Sequence, residues 1–127
     1  KDFGIKRGMI LNVSAPFHSS LMAPAAERMA EALEVTPPAA FTLPLYANVT
    51  AAAVTDPEAE RALLVEQVTG RVRWRESVLA MRADGVESFV ELGGKVLGPM
   101  VSRIDKDAQV ASLVTMADLE AFAKEIA

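Results

Sequence analysis

The sequence predicts an α/β fold with a largely parallel sheet. Short apolar runs bounded by turn residues alternate with longer stretches at helical spacing along the whole chain. Hydrophobic residues make up 51% of the 127 and charged residues 24%, which is enough apolar material for a core. No internal repeat, low-complexity tract or linker divides the chain.

Residues 8–13 form a short apolar run and read as the first strand. The loop Ser14–Ala15–Pro16–Phe17–His18–Ser19 follows. Leu21, Met22, Ala25, Met29 and Leu33 then recur at helical spacing, with Glu27, Arg28, Glu31 and Glu34 on other faces. Ser19 or Ser20 is expected to cap this helix, and Pro24 falls near its first turn, where proline is tolerated. Pro37 and Pro38 end it. Residues 43–49 read as a buried strand with Pro44 near its start.

Thr55–Asp56–Pro57–Glu58 signals a helix start: a capping residue, an early proline and acids in the first turn. That helix runs to about Gln67 and is stopped at Thr69–Gly70. A further helix covers residues 74–83 and closes at Asp84–Gly85. Residues 88–92 are the next strand, and Gly93–Gly94 turns the chain into a helix from about Lys95 to Ile104. Residues 110–114 and 116–126 complete the pattern as a strand and a helix.

Composition narrows the function. The net charge is −4, and the basic residues are scattered or paired with acids, so a nucleic-acid partner is not expected. There is no cysteine, which removes disulfides, thiolate metal sites and a thiol nucleophile, and fits a reducing compartment. One histidine cannot build a histidine-rich metal site. Residues 35–55 are free of charge and long enough for a membrane span, but Pro37, Pro38, Pro44 and Asn48 argue against a helix there. The chain opens on Lys1 with no signal peptide and reads as a piece of something longer.

His18 is the residue best suited to general base work near neutral pH. It lies in a loop between a strand and a helix, where α/β folds place ligand-binding groups. Position alone favours a structural histidine that caps the helix or bonds to backbone over a catalytic one. Ser14, Ser19 and Ser20 flank it, but no Gly-x-Ser-x-Gly elbow occurs, so these serines read as loop formers and caps. Glu91–Leu92–Gly93–Gly94–Lys95 lacks phosphate-loop spacing and reads as a tight strand-to-helix turn, although its helix N-terminus can attract an anion. Arg71, Arg73 and Arg75 read as solvated around an inward Trp74. Glu58, Glu60, Glu66, Glu76 and Glu87 read as solvated helix faces.

Four segments, taken with their order and spacing, resemble the malonyl-CoA:acyl carrier protein transacylases of fatty-acid synthesis. They are Leu11–Asn12–Val13–Ser14–Ala15–Pro16–Phe17–His18–Ser19–Ser20–Leu21–Met22; Leu45–Tyr46–Ala47–Asn48–Val49–Thr50; Leu64–Val65–Glu66–Gln67–Val68 with Val72–Arg73–Trp74; and Phe89–Val90–Glu91–Leu92–Gly93–Gly94–Lys95–Val96–Leu97. The resemblance covers nearly the whole chain. The turn after Glu91 is one residue shorter than the commoner family form.

The resemblance implies the C-terminal part of an α/β-hydrolase-like acyltransferase subdomain, preceded by the last strand of a ferredoxin-like insert. Residues 1–13 would end the small subdomain and residues 14–127 belong to the large one. It further implies ping-pong transfer of malonyl from coenzyme A to the phosphopantetheine thiol of acyl carrier protein, through a malonyl-serine ester. The serine, the oxyanion-hole glutamine and the arginine for the malonyl carboxylate would lie upstream of Lys1. In this chain the family pattern maps the general base and acid onto His18, its orienting main-chain carbonyl onto Gln67, and a substrate-binding aromatic onto Phe17. No cofactor or metal is implied. The implied partners are malonyl-CoA, acyl carrier protein and the N-terminal part of the same enzyme, with no nucleic acid and no membrane, in the cytoplasm. A non-catalytic α/β binding module and an acyltransferase domain of a larger synthase are the alternatives.

Overall fold

The computed structural model describes residue 4, residues 7–10 and residues 12–126. After a 3₁₀ turn at Ser20–Met22, the elements are α1 (Ala23–Val35), β1 (Leu45–Ala47), β2 (Ala52–Val54), α2 (Pro57–Thr69), α3 (Trp74–Ala83), β3 (Ser88–Leu92), α4 (Leu97–Ile104), β4 (Gln109–Leu113) and α5 (Met116–Glu125). None of the helices is long and apolar enough to cross a membrane among the described residues.

Among the described residues, two separate two-stranded sheets form in place of one continuous parallel sheet. β1 and β2 pair antiparallel, with Tyr46 opposite Ala53. Only four residues separate them, too few for the crossover that a parallel pair needs. Ala51 turns the chain with φ 54° and donates its N–H to the Ala47 carbonyl at 2.8 Å. β3 and β4 pair parallel from Ser88 opposite Gln109 to Leu92 opposite Leu113, with α4 as the crossover between them.

Local chemistry explains several boundaries. The Asp56 side chain accepts from the Glu58 N–H at 3.1 Å, and Pro57 opens α2. Thr115 and Asp118 close a reciprocal capping box at the start of α5. α3 turns Ser77 and Val78 inward, 1% and 0% exposed. Its far end is tied by Arg82, which donates to Asp105 at 2.6 Å and to the Val86 carbonyl at 2.7 Å.

Four expectations are corrected. The strand at residues 8–13 does not form: residues 8–10 and 12–13 belong to no ladder, and Leu11 lies outside the described residues. A strand needs a partner for its backbone groups, and neither sheet supplies one. The serine caps are also absent. Ser19 Oγ donates back to the Pro16 carbonyl at 2.8 Å, and the residue before α1 is Met22. The strand read over residues 43–49 shortens to β1, and Leu43 and Leu45 are exposed. Glu60 is no solvated residue but 4% exposed, with Oε2 unpartnered among the described residues. Desolvation pushes its carboxyl above the usual range.

Candidate functional site

The site is assembled by the loop before α1 and the C-terminus of α2. His18 adopts φ 57°, a left-handed conformation that non-glycine residues visit rarely and histidine more often than most. Such a backbone persists only when its surroundings hold it. Here the hold is at Nδ1, which lies 3.0 Å from the Gln67 carbonyl and 3.1 Å from the Gly70 carbonyl.

Both carbonyls are free because α2 ends there. The helix closes with the Gly70 N–H donating to the Glu66 carbonyl at 2.8 Å, so the next carbonyls have no helical donor. Two acceptors converging on one ring nitrogen require Nδ1 to carry hydrogen, and of the two neutral tautomers they select the one with its lone pair on Nε2. His18 is exposed, and no group among the described residues bonds Nε2.

The Gln67 side-chain amide also lies beside the ring. Its Nε2 stands 3.1 Å from His18 Nδ1 while its Oε1 is buried without a partner among the described residues. An amide N–H cannot donate to a nitrogen that already carries hydrogen. Rotating the amide by half a turn brings the oxygen to Nδ1 as a third acceptor and gives that oxygen its donor. The same rotation puts the amide nitrogen in the buried position that the oxygen leaves.

A hairpin braces the loop after α2. The Arg73 N–H donates to the Asn48 carbonyl at 3.0 Å, and its guanidinium donates to the Thr50 carbonyl at 3.0 Å. Arg73 is thus not the solvated arginine its sequence context suggests. Arg71 is, with 78% of its side chain exposed and a 3.4 Å pair to Glu76. Trp74 turns inward as expected, its indole N–H buried without a partner among the described residues. Phe17 lies beside His18 in sequence and is 57% exposed.

The anion site at the start of α4 is filled by the chain itself. The Glu91 carboxylate accepts from the N–H groups of Val96, Leu97 and Gly98 at 2.8–3.0 Å, and from Ser112 Oγ at 3.2 Å. The Gly98, Leu97 and Val96 amides hold its pKa down at about 2. Gly98 permits this approach, because a Cβ there would lie 2.8 Å from Ser112 Oγ and 2.9 Å from Val110 Cγ1. No phosphate reading survives for this turn. Among the described residues no cluster of three or more His, Cys, Asp or Glu side chains is arranged to hold a metal.

His18 and Gln67 are brought together although 49 positions separate them. Sequence reasoning missed the Gly70 carbonyl and the role of Glu91. The available signals were a glycine directly after a helix and an acid two residues before the Gly93–Gly94 turn that leads into a helix.

No family model matches the chain. It is 39% identical over 107 residues to the malonyl CoA-acyl carrier protein transacylase of Bacillus subtilis, covering 84% of this chain and 34% of that protein. It is 40% identical over 122 residues to the enzyme of the same name from Haemophilus influenzae, covering 95% and 39%. The crystal structure of acyl-carrier-protein-S-malonyltransferase from Bartonella henselae superposes with a TM-score of 0.90 at 45% identity, covering 98% of this chain and 40% of that one. The chain therefore spans 34–40% of the length of these relatives. A malonyl-transacylase solved in complex with a type II polyketide acyl-carrier protein matches with a TM-score of 0.88 at 34% identity.

Proposed function

Because the chain belongs with the malonyl CoA-acyl carrier protein transacylases over the part of them that it spans, we propose that it supplies the histidine of a malonyl-transfer site whose serine lies in the remainder of the enzyme. The observation that carries this reading is the His18 imidazole, held at Nδ1 by two main-chain carbonyls with no partner at Nε2 among the described residues. That is the arrangement of a base that removes a proton with one nitrogen while the other is anchored.

The proposed reaction is ping-pong. His18 Nε2 takes the serine proton as the serine oxygen attacks the malonyl thioester, and returns it to the sulfur of the departing coenzyme A. The phosphopantetheine thiol of acyl carrier protein then gives its proton to Nε2 as it attacks the malonyl-serine ester. The regenerated serine recovers that proton. Carbonyls opposite Nδ1–H stabilise the imidazolium in each half without themselves changing protonation. Phe17, next to the base and largely open, is assigned to the wall against which the acyl group rests. No cofactor enters this chemistry.

The exposed surface supports a larger enzyme. The chain presents 9592 Å². A folded monomer of 13.6 kDa would expose about 6,600 Å². Ile10, Val35, Leu43 and Leu21 are each more than 70% exposed. We assign residues 14–127 to the C-terminal part of the large acyltransferase subdomain and residues 1–13 to the end of the small ferredoxin-like one. The N-terminal part of the enzyme would cover the apolar surface. The relatives' names support malonyl-CoA and acyl carrier protein as substrates, and a cytoplasmic setting goes with that chemistry.

The test uses radiolabelled malonyl-CoA. The full-length enzyme is expected to take up an ester label on a serine outside these 127 residues and to lose it to holo-acyl carrier protein. This chain alone is expected to take up none, since covalent transfer cannot proceed without its nucleophile. A stable ester on this polypeptide by itself would overturn the assignment.

The main-chain anchoring gives a second expectation. Gln67→Ala in the full-length enzyme should retain most of its turnover, because both carbonyls at Nδ1 remain and alanine favours the helix. Gln67→Pro should slow transfer markedly, since proline within α2 costs about 3 kcal/mol or more and distorts the turn that carries the acceptor. A large loss of turnover in a stably folded Gln67→Ala enzyme would show that the side-chain amide does the anchoring.

A further inference from the structure

We propose that Gly70 is a positioning residue for His18, acting through its carbonyl and through the absence of a side chain. This rests on the reading of His18 as the transfer base. The Gly70 carbonyl stands 3.1 Å from Nδ1, close to the 3.0 Å of the Gln67 carbonyl, so the imidazole is held by a pair of acceptors. One acceptor fixes a distance but leaves the ring free to swing about the bond. Two acceptors from one loop also fix its direction, and with it where Nε2 points.

The second acceptor keeps its present position because residue 70 has no Cβ. A Cβ there would lie 2.8 Å from the Glu66 carbonyl oxygen and 2.8 Å from Val49 Cγ1. The first of these atoms is backbone of α2 and cannot move without opening the last turn of the helix. The second belongs to the β1–β2 connection, which is fastened to the same loop by the Arg73 bonds to Asn48 and Thr50. φ at Gly70 is −81°, so the need for glycine is one of space and not of backbone freedom. The hairpin, the helix end and the histidine loop therefore meet at a point where a single methyl group would separate them. A displacement of under an ångström there moves the carbonyl that aims the base, and misplacement on that scale costs up to about a hundredfold in rate.

The experiment is Gly70→Ala in the full-length enzyme, with His18→Ala and Val49→Ala/Gly70→Ala beside it. Gly70→Ala is expected to lower kcat by about ten- to a hundredfold, with KM for malonyl-CoA within about twofold. Trimming Val49 removes one of the two clashes, and the double variant should recover part of the lost kcat. Nitrogen NMR of the His18 ring should show a smaller fraction of the Nδ1–H tautomer in Gly70→Ala than in the parent, a change that a purely structural glycine would not cause. A second measurement needs no variant at residue 70. In enzyme labelled with carbonyl-¹³C glycine, the Gly70 resonance should shift when His18 becomes alanine. An unmoved Gly70 resonance, or an unchanged kcat and tautomer in folded Gly70→Ala, overturns the proposal. If His18→Ala itself retained full turnover, the assignment of the base would fall instead, so the two failures are distinguishable.

Discussion

His18→Ala in the full-length enzyme is expected to slow malonyl transfer by about a hundredfold or more, the usual scale for loss of a positioned acid and base. Both half-reactions should suffer, because one imidazole serves the serine and the incoming thiol in turn. Thermal stability should change little. The ring is exposed and contributes no core packing; alanine removes the Nδ1 anchor of the left-handed backbone at residue 18 and suits that backbone less well than histidine, so the loop before α1 relaxes while the helices keep their packing. Gln67 and Gly70 lose a donor on their carbonyls, but both lie at a half-buried helix end, beside the exposed position of the lost ring, where water replaces it. Single-turnover labelling by malonyl-CoA, discharge to acyl carrier protein and a thermal melt check the three statements together. Near-normal turnover would make His18 a structural residue.

Glu91→Ala is expected to give the largest loss of stability of any single change outside the apolar core. It leaves the Val96, Leu97 and Gly98 N–H groups and the Ser112 hydroxyl without their common acceptor at the start of α4. Glu91→Gln keeps the shape but removes the charge that the helix dipole favours, and should fall between the two. The pH dependence identifies the cause. The folded carboxyl titrates at about 2, below its ordinary value of 4.5, so its contribution is fully present above the ordinary range and is lost as pH falls toward 2. The melting temperature of the parent should exceed that of Glu91→Gln by several degrees at pH 7, and the gap should narrow steadily below about pH 4.5. Equal melting temperatures at neutral pH would remove Glu91 from the set of residues that hold α4.

Local signals in the sequence were enough for the elements whose causes are local. α3 and β3 have the bounds that periodicity and the Asp84–Gly85 stop imply. α2 begins where Asp56 and Pro57 place it. β4 lies one residue earlier than expected. α4 starts at Leu97 and not near Lys95 because the Glu91 side chain, reaching back across the turn, determines which amide is the first of the helix. β2 was missed altogether. It has three residues, Ala52, Ala53 and Val54, and exists only as a partner for β1.

By itself, the sequence determined the alternation of helices and strands, the start of α2, the stops of α1, α2 and α3, and the resemblance that put His18, Gln67 and Phe17 forward. Each of these is written in neighbouring residues or in motif order. Only the tertiary structure decided that two carbonyls, not one, face Nδ1, that Glu60 is buried and Arg73 bound, and that Glu91 fills the N-terminus of α4. The physical reason is distance along the chain. Main-chain carbonyls carry no side-chain identity for a sequence to display. Whether one of them meets a histidine 49 or 52 positions away depends on how a helix end, a hairpin and a loop pack against one another.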